Sequence, residues 1–391
     1  MGESLMIHLY GKVQEIIPTL ERLGVLTVTA NASLPKSLAR TKALVYDGDK
    51  PPTGYKVILH KKLPAWTSDC PQYLLPEELT HLNEGDIVSV NVENLGLRVL
   101  MRKASNHNSI LLTEQCNHYC LMCSQPPKNA DDSWLLDEAM EVVRQMPSST
   151  REIGFTGGEP TLYGDRFIEL MSLVKSYLPK TSIHILTNGR KFHDIEFTRK
   201  YARIQHQDMM LGIPIYSDDP VTHDYVVQSK NAFNETIRGI LNLKSLGQKV
   251  EIRVVLHKQT IDRLIPLVEF ITRNLLFVDH VALMGLEITG FTRANLDALW
   301  IDPFDYKEKL SDAVSILRSY DINASVYNLQ RCLVNDDILP AYRKSISDWK
   351  NEYLDVCSSC FKLDECGGLF TSQLRYKYSN HIKPFIINDL K

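Results

Sequence analysis

The sequence predicts an α/β protein built on a (β/α)6 TIM-like barrel or part of one, preceded by a small β-rich N-terminal domain and followed by a Cys-rich C-terminal extension. Three observations carry this. Apolar, β-branched runs recur every 27 to 43 residues with a helical pattern in each gap, the spacing of right-handed βαβ units. The first 105 or so residues instead hold short alternating segments, such as 56–60 and 86–92, broken by Pro51-Pro52, Pro64, Pro71 and Pro76. After about Asn328 the rhythm stops and cysteines gather. The expected units are 1–105, 106–328 and 329–391.

Strands of a buried parallel sheet are expected at 109–113, 152–155, 182–186, 209–215, 250–256 and 280–286. Ser133 is placed as the N-cap of a helix that carries Leu136, Met140 and Val143 on one side. A helix over 233–246 puts Phe233, Ile237, Ile240 and Leu241 on one face and meets Gly247 where a C-terminal cap belongs. His223-Asp224 is read as the cap of the helix after the fourth strand. In such architectures ligands sit at the carboxyl ends of the strands, and the unusual residues of this chain fall there.

Composition narrows the function classes. Hydrophobic residues at 44% and charged residues at 23% are ordinary for a globular chain of 391 residues. Forty-four Lys and Arg against 47 Asp and Glu give a net charge of −3, so no extended nucleic acid is expected as a partner. Residues 1–6 lack the cationic segment and apolar run of a signal peptide, and position 6 is Met6 rather than the Ser or Thr of a myristoylation signal. The most apolar stretch, 275–288, is broken by Asp279 and His280, so no membrane span is expected. There is no solenoid repeat or low-complexity tract. A cytoplasmic location follows as the expectation, where the eight cysteines would be free thiols available to metal or chemistry. Cys70 stands alone and reads as a plain, partly buried thiol.

Cys116, Cys120 and Cys123 converge in the loop after the first barrel strand. Three thiolates there suit a four-iron cubane with one iron left open, with a zinc knuckle or unliganded thiols as alternatives. A c-type haem is excluded because Ser124, not His, follows Cys123. His118, inside the loop, reads as an orienting or solvent-facing side chain. Gly157-Gly158-Glu159-Pro160 ends the second strand on the same rim. Its glycines let backbone approach a ligand closely, and Glu159 offers a carboxylate to an ammonium group; the plain alternative is a strand-to-helix turn with Pro160 starting the helix.

The Cys-x3-Cys-x2-Cys loop, Gly157-Gly158-Glu159-Pro160 and Thr187-Asn188-Gly189, each following a successive strand, together resemble the radical S-adenosylmethionine (radical SAM) superfamily over about 110–290. The resemblance implies a partial (β/α)6 barrel and a [4Fe-4S] cluster held by Cys116, Cys120 and Cys123, whose open iron chelates the methionine amino and carboxylate groups. It places Glu159 toward that amino group, Thr187-Asn188 near the ribose, and Met122 near the adenine, where relatives often carry an aromatic residue. It also implies one electron from an external donor, cleavage of the sulfonium, and hydrogen abstraction by a 5′-deoxyadenosyl radical. The fourth strand ends Gly212-Ile213-Pro214-Ile215-Tyr216-Ser217, where many relatives place a ligand-contacting serine near Pro214.

Cys357-x2-Cys360-x5-Cys366, with Cys332 upstream, offers four thiolates. Alone they fit a structural zinc site. After a radical SAM barrel they resemble the SPASM and twitch extensions, nearer the shorter twitch form because Phe370 stands where the fuller form has another cysteine. This implies a second, auxiliary [4Fe-4S] cluster.

The strings 111–116 and 123–128, with the regions Ser347-Asp348-Trp349 and Cys366-Gly367-Gly368, resemble the His-Xaa-Ser system radical SAM maturases over most of the chain. That resemblance implies a ribosomally made peptide substrate, a second radical SAM partner and a small accessory protein. A radical SAM enzyme of nucleosides or small metabolites, and a catalytically silent zinc-bound module, are the alternatives. No acid-base residue is assigned.

Overall fold

A computed structural model describes residues 8–19, 21–344 and 352–386. Ser347-Asp348-Trp349 lies outside them.

Eight strands form the first sheet: β1 (Tyr10–Lys12), β2 (Gln14–Ile17), β3 (Gly24–Thr29), β4 (Lys42–Val45), β5 (Val57–His60), β6 (Gln72–Leu74), β7 (Ile87–Asn91) and β8 (Gly96–Met101). Their order is β1-β8-β7-β3-β4-β5-β6-β2. The two edge strands are separated in sequence by Val13 alone, so one bent segment pairs with β8 on one side and β6 on the other and nearly closes the sheet into a barrel. Closure removes the unpaired edges that a short-stranded sheet would expose. Val28, Val57, Leu59, Tyr73, Val88 and Leu97 fill its interior. Cys70 is buried beside this barrel with Leu44, Tyr55 and Ile58.

The second sheet is wholly parallel and runs in chain order: β9 (Asn108–Leu111), β10 (Glu152–Thr156), β11 (Ser182–Leu186), β12 (Met209–Pro214), β13 (Lys249–Leu256), β14 (His280–Gly285) and β15 (Ala324–Tyr327). This is the α/β partial barrel that the strand spacing predicts, with one strand more. The seventh, β15, has four residues and follows directly on a turn at Asp321, where φ is +56°, so it is too short to stand out as an apolar run. Outward-facing Ile153, Phe155, Ile183, Leu211, Ile252 and Val281 bury against the covering helices. Burying such a side chain contributes about 1.5–3 kcal/mol.

Two helix readings need correction. Ser133 precedes the helix Trp134–Gln145 but makes no side-chain cap; its own amide binds Asp131. Leu136, Met140 and Val143 are buried as expected. In the helix Ala232–Ser245, Leu241 is 44% exposed, because the buried stripe runs through Phe233, Thr236, Ile240 and Leu243, and position 241 is rotated off it. Gly247 follows the helix at φ +70°, and its amide binds the Lys244 carbonyl at 3.0 Å.

The inward faces of β11, β13, β14 and β15 carry a polar floor. Buried Glu251 accepts from His280 Nδ1 at Oε2 and from Arg253 at Oε1, both 2.7 Å, and His184 Nε2 lies 3.3 Å from Oε1. His280 Nε2 in turn meets Ser325 Oγ at 3.0 Å. Burial raises the Glu251 pKa, but the two histidines and Arg253 outweigh it and hold the carboxyl well below its usual range.

Candidate active site

Cys116, Cys120 and Cys123 line one cavity of about 410 Å³ at the carboxyl ends of the barrel strands. Its wall also includes Met122, Gly157, Gly158, Thr187 and Asn188, so five of the seven residues expected at the cofactor stand there. Glu159 and Pro160 do not. Glu159 is fully buried: its carboxylate accepts from Thr161 N at 2.9 Å, Thr187 Oγ1 at 2.7 Å and Asn188 N at 2.5 Å. Four inward donors, counting Thr161 Oγ1, hold the carboxylate away from the cavity. The carboxylate thereby clasps the Thr187-Asn188 turn, and it is this turn that lines the cavity. Burial raises the Glu159 pKa, against the lowering effect of the Thr161, Asn188 and Thr187 bonds. Pro160 opens a short 3-10 turn for which Glu159 is the N-cap.

The glycines serve a related purpose. A Cβ on Gly158 would lie 2.1 Å from the Gln115 carbonyl oxygen, and one on Gly157 would lie 2.5 Å from that of Thr113. Their lack of side chains lets the end of β10 zip onto the cysteine loop, through Gly158 N to Thr113 O and Glu159 N to Gln115 O, both 2.8 Å. The close approach is to neighbouring backbone, and both glycines also line the cavity.

The loop is clamped on its other sides as well. Tyr119 N and Leu121 N donate to the carbonyls of Val227 and Val226 at the end of the helix Pro220–Val227. Thr292 Oγ1 and Asn295 Nδ2 donate to the carbonyls of Met122 and Leu121 at 3.1 and 2.9 Å. Beneath it, buried Asp132 accepts from Thr113 Oγ1 at 3.0 Å, Gln115 Nε2 at 3.2 Å and Tyr163 OH at 3.0 Å. Asn188 Nδ2 reaches Asn117 Oδ1 at 2.6 Å, tying the third strand's turn to the cysteine loop.

His118 is buried, not solvent-facing, and neither ring nitrogen has a partner among the described residues. Burial, with Arg190 and His223 nearby, lowers its pKa to about 3, so the ring is neutral. His223 lies inside its helix rather than capping it, which Asp219 does; His223 Nδ1 accepts from Tyr216 N at 3.2 Å. Asp224 receives the amide of Phe233 at the start of the next helix. Ser217 is buried off the cavity and bonds Asp219 N, whereas Pro214 and Tyr216 line it. Arg253, Met284, Leu286, Asn328 and Phe370 complete the wall. Sequence reading missed these, since none carries a motif. Strand alternation alone could have flagged Arg253 as a charge pointing into the barrel.

Burial pushes the Cys116 thiol up to about 12 and raises Cys120 and Cys123 as well. Among the described residues no three His, Cys, Asp or Glu side chains are already drawn into ion-ligating geometry. The donor set nevertheless fits an iron-sulfur cluster with a chelated ligand: three soft thiols stand on one wall, and the volume falls within the range of about 300–1,000 Å³ usual for ligand pockets. A bound cation would reverse the thiol shifts by deprotonating its ligands.

Cys332, Cys357, Cys360 and Cys366 line a second, narrower cavity. It holds about 20 Å³ of free space between the four thiol-bearing segments. Amides already point at sulfur: Arg331 N and Gly368 N at Cys366 Sγ, 3.3 and 3.4 Å, and Phe385 N at Cys360 Sγ, 3.4 Å. The segment docks on the end of β15 through Gln330 Nε2 to Gly368 O at 2.8 Å and through Tyr342 OH, which donates to Leu329 O and accepts from Gly367 N, both at 2.7 Å. Phe370, four residues after Cys366, lines the first cavity, so the two sites are joined by a link of at most roughly 14 Å.

No helix among the described residues is long and apolar enough to cross a membrane. Residues 110–271 match the family model described as the radical SAM superfamily. Among solved structures, Streptococcus suis SuiB bound to S-adenosylmethionine is 17% identical at a TM-score of 0.46, over 56% of this chain and 50% of that one. The chain thus spans about half the length of SuiB. Native anSMEcpe with bound AdoMet and Cp18Cys peptide is 14% identical at a TM-score of 0.49, over 71% of this chain and 91% of that one. Coproporphyrinogen III oxidase HemN from Escherichia coli, a radical SAM enzyme, is 14% identical at 0.42, over 55% and 52%. Residues 110–271 therefore form a radical SAM domain, the kind of domain that implies a [4Fe-4S] cluster and S-adenosylmethionine.

Proposed function

We propose that this enzyme modifies a ribosomally made peptide of the His-Xaa-Ser type, with Cys116, Cys120 and Cys123 holding the first cluster and Cys332, Cys357, Cys360 and Cys366 an auxiliary one. The observation that carries the reading is the single cavity in which the three thiols meet Gly157, Gly158, Thr187 and Asn188, roofed by Phe370 from the second cysteine segment. The peptide class is supported by the sequence strings 111–116, 123–128 and 366–368.

When bound, the cluster and S-adenosylmethionine supply reductive cleavage and hydrogen-atom abstraction. The chain's own residues do the rest. Glu159 fixes the Thr187-Asn188 turn, Asn188 couples that turn to Asn117, and Asp132 holds the root of the cysteine loop. Met122 and Tyr216 give the cavity an apolar wall that keeps water from the reacting centre. Arg253, braced by Glu251, is the cation in the wall and suits an anionic group of ligand or substrate.

Residues 1–105, 106–328 and 329–391 serve in this reading as the N-terminal unit, the barrel and the auxiliary extension. The enzyme works in the cytoplasm with an external one-electron donor, a second radical SAM partner and a small accessory protein. Mass spectrometry of a His-Xaa-Ser peptide co-expressed with and without the protein tests the substrate. An unmodified peptide alongside accumulating 5′-deoxyadenosine would reject the peptide and leave a nucleoside or small metabolite.

A further inference from the structure

Arg331 is a buried cation at the second cysteine cavity. Its side chain is 6% exposed, and the residue lines the same walls as Cys332, Cys357, Cys360 and Cys366. One terminal nitrogen pairs with Asp336, which is 83% exposed, and the other approaches Val334 O at 3.5 Å. The guanidinium carbon lies 5.2 Å from the centre of the Phe385 ring, and the Phe385 amide itself points at Cys360 Sγ. Nε–H, however, is buried with no partner among the described residues. Buried donors are almost always satisfied, and leaving one unmet costs about 1–3 kcal/mol. An orphan N–H on a cation beside four thiols is the complement of an anionic sulfur-rich group.

We propose that Arg331 is the counter-cation of a [4Fe-4S] cluster bound by Cys332, Cys357, Cys360 and Cys366, donating Nε–H to a cluster or cysteine sulfur. The inference rests on the auxiliary-cluster reading above. A 2+ core with four thiolates is a dianion, and one-electron reduction by the external donor makes it a trianion, so a fixed buried cation stabilises the reduced form more than the oxidised one. Arg331 is then a positioning residue that sets how readily this cluster accepts an electron. Glu352 stands on the same cavity wall as an opposing carboxylate, held by Thr371 Oγ1. Asp336 offsets part of the Arg331 charge from the solvent side.

The test uses the full chain with Cys116, Cys120 and Cys123 all changed to Ala, so that any cluster left is the auxiliary one. Iron and sulfide are counted after anaerobic reconstitution, and the midpoint is read by electron paramagnetic resonance during redox titration. The expected result is about four irons per chain. Arg331→Gln should cut the reduced-to-oxidised ratio at the parent midpoint about tenfold, a downward shift of about 59 mV for one electron. Arg331→Lys should stay closer to the parent, and Asp336→Asn, at an exposed site, should move the midpoint upward. If Arg331→Gln fails to hold iron, Asp336→Asn decides, and no upward shift there overturns the assignment. Iron retained with the parent midpoint in both variants overturns the role of Arg331 while the cluster reading stands. Stoichiometric zinc without iron in the parent overturns both.

Discussion

The two cysteine groups are built in opposite ways. Cys116, Cys120 and Cys123 sit on a loop whose backbone is pinned by the end of β10, by the helix Pro220–Val227 and by Thr292 and Asn295, all anchored in the barrel. Cys332, Cys357, Cys360 and Cys366 sit on short 3-10 turns and irregular chain, held by a few side-chain bonds and, among the described residues, two isolated bridges, Val326 with Tyr342 and Glu352 with Leu369. The first site is shaped by the fold before any metal arrives. The second has four thiols, little regular structure and a cavity of about 20 Å³, so its final shape belongs to whatever it binds. Three donors also leave a coordination position for a ligand, whereas four close the site.

The largest expected effect breaks the first region outright. Replacing Cys116, Cys120 and Cys123 together by Ala should reduce cleavage of S-adenosylmethionine to background while the barrel still folds, because the clamps are backbone bonds that survive the change. Accumulation of 5′-deoxyadenosine at the parent rate under dithionite would refute the site. Chromatography and circular dichroism on one preparation report both quantities.

Next comes the complementary cut. Cys357→Ala with Cys360→Ala should abolish modified product yet leave uncoupled cleavage, with loss of order confined to the C-terminal segment. Chelation of metal from the parent should loosen the same segment and spare the cysteine loop. Hydrogen exchange read by mass spectrometry checks the pattern; equal loss of protection in both regions would erase the contrast.

A milder change probes the clamp itself. Asp132→Ala removes a buried acceptor shared by Thr113, Gln115 and Tyr163, and should cost about 1–3 kcal/mol of stability. The loss should appear in denaturant melts and as weaker S-adenosylmethionine binding at the first site, with the second site's iron unchanged.

The smallest expected effect is a pH dependence. His223 and His257, packed around Tyr216, are both held neutral with pKa values of about 4, chiefly by burial. Because these folded values lie below the ordinary 6.5, their contribution is complete above pH 6.5 and is lost as pH falls toward 4. Each should cost roughly 1–2 kcal/mol by pH 5. Hydrogen exchange corrected for intrinsic rate should show the first cysteine loop opening ahead of the second segment at pH 5, and His257→Leu should reduce the difference.

Legibility in the sequence followed the range of the interactions. β11 is found at its expected bounds, and β10, β12, β13 and β14 within a residue or so, because each is a local apolar run. Met122, Gly157, Gly158, Thr187 and Asn188 share one cavity with the first three cysteines because each follows the end of a neighbouring parallel strand. The inward turn of Glu159 is not legible locally because it is settled by Thr187 and Asn188, 28 and 29 residues away. Ser133 and His223 were misread as caps because the competing carboxylates, Asp131 and Asp219, leave no pattern that ranks one candidate above another.

By itself, then, the sequence determined the parallel-strand rhythm, the division of the cysteines into three and four, and the chemistry that such thiols favour. These depend on residue type and spacing, which translate directly into periodicity and donor number. Only the tertiary structure decided that Glu159 turns inward, that His118 is buried, that Arg253, Tyr216 and Phe370 complete the cavity, and that Arg331 lies against the second cysteine group. Each of those outcomes rests on contacts between segments tens to hundreds of residues apart, where the balance of desolvation against hydrogen bonding is set by packing.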